Sequence, residues 1–263
     1  SADNLSSIFN LSILIGALLA IGFWFSAHLI AGFYDSDEFI KIVQALSIVL
    51  FFKAASMPAF GILRRDQKFK QIGIITVSIS LITGIVGIIL AYTGFSYWAL
   101  IIRSILSAVF LFVIQSILAK IPIKAVWDFK GLFAMLKYSL YNFLFQFVNF
   151  FSRNLDNILI GKYLGPEQLG FYEKSYRVMK MPLDNFTTII AAVTHPVLSK
   201  YGNDTLIRTH LNLIKMLALI GIPISVLLFH FRSEIIIVLF GDQWGPSAEP
   251  FKWLALSVWI QMI

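Results

Sequence analysis

The chain has 263 residues, of which 58% are hydrophobic and only 13% are charged, and its mean hydropathy is +0.81. About a quarter of the residues in a soluble domain are charged, so this composition excludes an ordinary soluble protein and indicates a lipid bilayer as the solvent. The net charge of +7 comes mostly from basic residues between hydrophobic runs, which favours membrane topology over nucleic-acid binding, and the absence of cysteine excludes disulfides and thiol chemistry.

Eight hydrophobic runs predict membrane-spanning helices, because about 20 apolar residues cross a bilayer in helical form. The runs are too long for barrel strands, which need only about 10 residues of alternating polarity. The chain starts without Met and stops inside an apolar run, so we expect it to be truncated at both ends. In chain order the predicted spans are 8–33, 39–63, 72–92, 96–118, 138–160, 169–197, 211–231 and a last span that begins near Glu249.

Basic residues between the spans predict the orientation, because positive loops stay in the cytoplasm. Every second connection is rich in lysine and arginine, which places Ser1 inside and makes the first span run outward. The connections predicted to be cytoplasmic hold Arg64, Arg65, Lys68, Lys70, Lys120, Lys124, Lys130, Lys137, Lys200, Arg208 and Lys215. The opposite side holds only Lys41, Lys162, Arg232 and Lys252.

A weak internal repeat suggests two lobes. Residues 29–34 (LIAGFY) and 45–49 (ALSIV) resemble residues 235–240 (IIIVLF) and 255–259 (ALSVW). The offset changes from 206 in the first pair to 210 in the second, so a loop insertion separates them. Both copies run outward, and a parallel repeat of this kind is typical of transporters.

Ionisable side chains inside the predicted spans are costly in lipid and therefore indicate function. Their excess of cations predicts a water-filled cavity for an anionic substrate, lined by Arg103, Arg153, Lys174, Arg177, Lys180 and Lys53. The acids within the spans are Asp156, Glu173 and Asp184. Lysine and arginine could instead reach the headgroups. Arg153 and Asp156, spaced i, i+3, could form a structural ion pair, or Asp156 could couple transport to an ion.

Other chemistries find little support in the chain. The four histidines are scattered without ligand spacing, which argues against a metal site, and the acidic run Asp35-x-Asp37-Glu38 is typical of a solvated outer loop. There is no G-x-x-x-x-G-K-[ST] loop and no nucleophile elbow, so we expect neither a cofactor nor an enzymatic site.

The stretch 153–182 (RNLDNILIGKYLGPEQLGFYEKSYRVMKMP) resembles the Wzx-type polysaccharide flippases, the O-antigen and colanic-acid branch of the multidrug/oligosaccharidyl-lipid/polysaccharide exporter superfamily. Residues 94–100 (GFSYWAL), 196–200 (PVLSK) and 240–244 (FGDQW) resemble that branch as well. The resemblance implies an all-α, two-lobed transmembrane bundle of which the chain covers the third to tenth of fourteen helices. Residues 1–119 would then belong to the N-terminal lobe, 120–137 to a cytoplasmic linker and 138–263 to the C-terminal lobe.

The resemblance also implies a function. Wzx-type proteins move undecaprenyl-diphosphate-linked oligosaccharides from the cytoplasmic to the periplasmic leaflet of the bacterial inner membrane, in the synthesis of lipopolysaccharide and exopolysaccharide. The expected partners are the bilayer, that anionic glycolipid, H⁺ or Na⁺ through Asp156, and polymerase or glycosyltransferase proteins, but no nucleic acid. Alternatives are a drug or cation exporter of the same superfamily, a lipid II flippase of the MurJ type, or a membrane enzyme of polysaccharide polymerisation.

Overall fold

The computed structural model describes the backbone of residues 2–121, 129–198 and 203–262, and the side chains of residues 5–121, 139–183 and 211–262. These residues form ten α-helices and one short 3-10 helix, Asp242–Ser247. The helices are α1 Ala2–Phe25, α2 Ala27–Tyr34, α3 Glu38–Arg65, α4 Phe69–Tyr92, α5 Trp98–Ala119, α6 Phe129–Tyr163, α7 Gly165–Leu198, α8 Asn203–His230, α9 Arg232–Phe240 and α10 Ala248–Gln261.

Five stretches within the described residues are long and apolar enough to cross a membrane. The predicted polytopic, all-helical fold is therefore confirmed. The predicted fifth and sixth spans fall within α6 and α7, which are helical but less apolar overall than the five stretches. Their passage through the bilayer stays a prediction, as does that of α10. The five stretches are Leu5–Phe25, Glu38–Arg65, Phe69–Tyr92, Trp98–Ala119 and Leu211–His230.

The first predicted span, 8–33, is divided in the structure, because α1 ends at Phe25 and α2 begins at Ala27. Between them the hydroxyl of Ser26 donates a hydrogen bond to the Phe23 carbonyl oxygen at 2.8 Å. Such back-bonding competes with the backbone ladder and bends a helix. Hydropathy cannot reveal this break, since the apolar run continues through it.

The predicted linker 120–137 is partly helical, because α6 begins at Phe129. Residues 122–128 lie outside the described residues. The chain divides into two compact units, Ser1–Asn149 and Phe150–Ile263, and the division falls within α6. The predicted lobe boundary lies N-terminal to this division and stays a prediction.

In the first unit, α3 packs against α1 and α5, and α5 packs against α4. Small side chains allow the close approach, since Ala55 and Ala59 of α3 are fully buried. A Cβ atom on Gly16 of α1 would lie 3.1 Å from the Ala54 Cβ atom and 3.3 Å from the Phe51 carbonyl oxygen. Large apolar side chains on the outer faces, such as Leu18 and Ile88, are exposed and would contact lipid.

In the second unit, α10 packs against α8 and α7 around a core of fully buried side chains that includes Met179, Ile236 and Phe251. A Cβ atom on Gly221 of α8 would lie 3.1 Å from the Trp259 Cα atom, so α8 and α10 also approach closely. Polar bonds join the elements as well, because the Ser175 hydroxyl donates to the Ser247 carbonyl oxygen at 2.6 Å.

The order of elements supports the internal repeat. In the first unit a long helix breaks at Ser26, a short helix follows, and α3 then packs on the long helix. In the second unit α8 breaks at Phe231, α9 follows, and α10 packs on α8. The connection before α3 comprises residues 35–37, whereas that before α10 comprises residues 241–247. The second connection is longer by four residues, which matches the change of offset from 206 to 210, and six of its seven residues form the 3-10 helix.

Candidate functional site

A polar cleft of about 520 Å³ in the second unit is lined by side chains of α6 and α7. Residues 173, 176, 177 and 180 follow a spacing of i, i+3, i+4 and i+7, which places them on one face of α7. The sequence predicted this shared face for Arg177 and Lys180, whereas the side chain of Asp184 lies outside the described residues. The lining consists of Asn154, Asn157, Glu173, Lys174, Tyr176, Arg177, Lys180 and Met181.

The cleft is cationic, because Lys174, Arg177 and Lys180 share it with a single carboxylate, Glu173. Among the described side chains, Arg177 and Glu173 form neither an ion pair nor a hydrogen bond. The Lys180 ammonium lies 5.6 Å from the centre of the Tyr176 ring, within the range of a cation–π contact. The cleft therefore keeps donors and positive charge available for an anion.

Two asparagines give the cleft neutral hydrogen-bonding groups. The Asn154 side-chain amide donates to the Phe150 carbonyl oxygen at 2.8 Å. The Asn157 side-chain oxygen is buried and accepts no hydrogen bond from the described residues. Because a buried acceptor without a donor is costly, a ligand hydroxyl at this position would stabilise it.

Lys174 is held by aromatic rings that come from elsewhere in the chain. Its ammonium lies 5.2 Å from the Phe240 ring centre and 4.7 Å from the Trp244 ring centre. The Phe171 ring packs edge-on against Trp244, with 6.0 Å between centres. Phe240 ends α9 and Trp244 lies in the 3-10 helix, so Lys174 joins α7 to the connection before α10. It therefore has a structural contact in addition to its place in the cleft.

Asp156 is bound by groups that the sequence analysis did not identify. The Tyr172 hydroxyl donates to one carboxylate oxygen at 2.6 Å, and the backbone N–H of Asn157 donates to the other at 2.9 Å. The Tyr172 ring stacks on the Tyr176 ring of the cleft, with 6.1 Å between centres. Arg153 is exposed on α6, one turn before Asp156. The ion pair of Arg153 with Asp156 and the coupling of transport to an ion through Asp156 both stay predictions.

The structure places the other two predicted cations in the first unit. Lys53 of α3 and Arg103 of α5 line a pocket of about 220 Å³ together with residues of α4. The structure thus brings five of the six predicted cations together in two groups, Lys174, Arg177 and Lys180 in the second unit and Lys53 and Arg103 in the first, whereas Arg153 lines neither of these two pockets. Their union in one shared cavity stays a prediction. Among the described residues, no group of three or more His, Asp and Glu side chains could hold a metal ion.

The sequence model of the polysaccharide biosynthesis protein family matches residues 1–249, which is nearly the whole chain. The chain belongs to this family. Relatives include the teichuronic acid biosynthesis protein TuaB of Bacillus subtilis, which is 26% identical over 262 residues, covering 96% of this chain and 53% of TuaB. The succinoglycan biosynthesis transport protein ExoT of Rhizobium meliloti is 20% identical over 257 residues, covering 97% of this chain and 52% of ExoT.

The lipopolysaccharide biosynthesis protein WzxC of Escherichia coli is 20% identical over 251 residues, covering 92% of this chain and 50% of WzxC. The predicted resemblance to Wzx-type proteins is therefore confirmed. The chain spans about half the length of the curated relatives it matches. No solved structure matches it.

In this polysaccharide biosynthesis protein the sequence predicted the cations of the cleft, but it indicated neither the aromatic rings around Lys174 nor the tyrosine that binds Asp156. Phe240 and Trp244 carried a family signature, yet nothing in that signature indicated a lysine more than sixty residues earlier. Tyr172 lies 16 positions after Asp156 and on the next helix, so the periodicity of a single helix could not indicate that the two side chains are in contact. A hydropathy profile does not show which hydroxyl or aromatic side chain contacts a charged one.

Proposed function

We propose that this protein moves a lipid-linked oligosaccharide, carried on undecaprenyl diphosphate, from the cytoplasmic to the periplasmic leaflet of the bacterial inner membrane during surface-polysaccharide synthesis. The observation that carries the proposal is the cleft on α6 and α7, with three cations, one carboxylate and two amides in a polytopic membrane protein of the polysaccharide biosynthesis family. ExoT of Rhizobium meliloti is a succinoglycan biosynthesis transport protein, and its similarity to this chain supports the same class of activity.

The chemistry of the cleft suits such a substrate. Arginine and lysine bind phosphate and sugar carboxylate oxygens through charge-assisted hydrogen bonds. The amides of Asn154 and Asn157 can donate to and accept from sugar hydroxyls. The polyprenyl chain remains in lipid while the polar head crosses, and alternating access of the head to the two sides accounts for transport without covalent chemistry. The protein would then act as a transporter, coupled to H⁺ or Na⁺ through Asp156.

The charge balance separates this proposal from its nearest alternative. A transporter of cationic drugs needs acidic groups in its binding site, because a cation binds where negative charge predominates. In the cleft, cations outnumber carboxylates by three to one. An anionic substrate is therefore the better match.

The proposal is tested by reconstituting the native-length protein in liposomes with a fluorescent undecaprenyl-diphosphate oligosaccharide and measuring its movement between leaflets. Arg177→Gln and Lys180→Gln should each reduce the rate by about tenfold or more, because each removes a charge-assisted contact worth about 1.5–3 kcal/mol. Lys215→Gln is the matched control, since Lys215 is an exposed lysine of α8 outside the cleft. Equal rates for wild type, Arg177→Gln and Lys180→Gln would exclude the cleft as the route of the oligosaccharide. Movement of the glycolipid by the wild type no faster than in protein-free liposomes would exclude the proposed function.

A further inference from the structure

The first unit contains a polar pocket within otherwise apolar helices. It has a volume of about 220 Å³ and is bounded by α3, α4 and α5. Besides Lys53 and Arg103, it is lined by four hydroxyl-bearing side chains, Ser80, Thr83, Ser104 and Ser107. A second pocket in this unit, about 290 Å³ between α1 and α3, is lined almost entirely by apolar groups and suits a hydrocarbon chain. The polar pocket suits a different ligand, because burying hydroxyl and cationic groups against hydrocarbon is costly.

The two cations of this pocket have no carboxylate near them in sequence. Helices α4 and α5 contain no Asp or Glu, and the only acid of α3 is its first residue, Glu38. Among the described side chains, neither Lys53 nor Arg103 forms an ion pair or a hydrogen bond. A charge within the membrane is normally compensated by a partner, by water or by a ligand. An anionic ligand would supply this compensating charge to Lys53 and Arg103, which no carboxylate of the described residues contacts.

The hydroxyl groups divide into two kinds. Thr83 donates to the Ile79 carbonyl oxygen at 2.7 Å, and Ser104 donates to the Leu100 carbonyl oxygen at 2.8 Å, so both are engaged by their own helices. Ser80 and Ser107 donate to no described residue. Their hydroxyls are therefore available as donors to a ligand oxygen.

Gly87 of α4 leaves room for the aliphatic part of the Arg103 side chain. A Cβ atom on Gly87 of α4 would lie 3.2 Å from the Arg103 Cδ atom and 3.5 Å from its Cβ atom. The aliphatic part of Arg103 therefore lies directly against α4, the helix that also supplies Ser80 and Thr83. This contact limits the positions that the guanidinium can adopt and keeps it beside the hydroxyl groups.

We propose that this pocket of the first unit is a binding site for a phosphate-class oxyanion, held by Lys53, Arg103, Ser80 and Ser107. Its volume lies below the range of about 300–1,000 Å³ for pockets of drug-sized ligands, which suits a phosphate or diphosphate group and not an oligosaccharide. Planar guanidinium, ammonium and hydroxyl donors together match the oxygens of such a group. The site deepens the proposed function and rests on it for one source of the anion, the diphosphate of the glycolipid. A phospholipid headgroup is the other source.

The test uses the native-length protein in nanodiscs of zwitterionic lipid, with Arg177→Gln and Lys180→Gln introduced to silence the cleft of the second unit. Binding of radiolabelled inorganic diphosphate is measured at equilibrium. We expect saturable binding that Lys53→Gln and Arg103→Gln each weaken by about tenfold, equivalent to one charge-assisted contact. Ser80→Ala and Ser107→Ala should each weaken it by about threefold.

Two variants serve as matched controls for charge and for the hydroxyl group. Lys70→Gln removes an exposed lysine at the start of α4, and Ser78→Ala removes an exposed hydroxyl of α4 outside the pocket, so both should bind diphosphate as the parent does. Gly87→Ala, which would displace Arg103, should weaken binding without changing any polar group. Unchanged affinity in folded Lys53→Gln and Arg103→Gln proteins, or no saturable binding in the parent, would overturn the proposal.

The source of the anion is decided by lipid composition. If a phospholipid headgroup occupies the site, nanodiscs with phosphatidylglycerol should raise the apparent Kd for diphosphate relative to zwitterionic nanodiscs. If the glycolipid diphosphate is the ligand, phosphatidylglycerol should leave the Kd unchanged, and unlabelled undecaprenyl diphosphate should compete. Diphosphate binding that depends on Lys53 and Arg103 in a protein without flipping activity would retain the site and reject the proposed function. Flipping by a protein whose diphosphate binding does not depend on Lys53 or Arg103 would retain the proposed function and reject the site.

Discussion

At the scale of single residues, the hydrogen bond from Tyr172 to Asp156 can be used to decide whether Asp156 has a structural role or a role in transport. Tyr172→Phe removes the donor, and we expect the free energy of unfolding to fall by about 1.5 kcal/mol, since the bond is made to a charged acceptor. Asp156→Asn keeps an oxygen that can accept from Tyr172, so it should lose less stability. If Asp156 couples transport to an ion, that variant should nevertheless lose the dependence of flipping on an H⁺ or Na⁺ gradient.

The measurements are thermal unfolding in detergent and flipping in liposomes with and without each gradient. Tyr163→Phe is the control for loss of a tyrosine hydroxyl, because Tyr163 is 75% exposed at the end of α6. An equal loss of stability in both Tyr→Phe variants would show that the Tyr172 bond contributes nothing. A stable Asp156→Asn protein with unchanged gradient dependence would remove Asp156 from the coupling mechanism.

At the scale of the helices, two glycines control how closely neighbouring helices approach. Gly16 lies ten residues before the break at Ser26, and Gly221 lies ten residues before the break at Phe231, so the two occupy matching positions in the repeat. Valine at either position would press on the facing helix, and we expect each change to lower the free energy of unfolding by about 1–3 kcal/mol, as overpacking does. Unfolding in a denaturing detergent series measures the loss.

Gly84→Val is the matched control, because a Cβ atom there would meet nothing within 4 Å. If Gly16→Val and Gly221→Val are as stable as Gly84→Val, close packing at these two positions is not required for the fold. If only one of them destabilises, the two copies of the repeat differ in how tightly they pack.

Helices were the part of the structure that the sequence predicted best, because membrane helices are determined mainly by length and hydropathy. The predicted spans 72–92 and 96–118 fall within α4 and α5 to within a few residues. The break at Ser26 and the start of α6 at Phe129 were missed, since a single hydroxyl bond and an amphipathic extension do not alter an apolar run.

The cations of the cleft could be predicted because charge is rare in lipid. The rings around Lys174 and the tyrosine bound to Asp156 depend on tertiary packing, which no sequence window contains.

At the scale of the whole molecule, the distribution of basic residues predicts the orientation in the membrane. The connections after α3 and before α6 are rich in lysine and arginine, whereas those near Asp37 and Glu167 are not. Basic loops resist translocation, so we expect the basic connections to be cytoplasmic. Because the chain contains no cysteine, single cysteines introduced at Asp37, Lys68, Lys130 and Glu167 give an unambiguous readout.

A membrane-impermeant maleimide added to intact cells should label the variants Asp37→Cys and Glu167→Cys but not Lys68→Cys or Lys130→Cys. Permeabilised cells should label all four, which controls for accessibility. The pair Lys130 and Glu167 is the most informative, because α6 and the start of α7 lie between them and the crossing of α6 is the prediction least supported by apolarity alone. Labelling of Lys130→Cys and Glu167→Cys from the same side would mean that α6 does not cross the bilayer. Labelling of Lys130→Cys and Lys68→Cys from outside would show that the orientation is the opposite of the one that the basic residues predict.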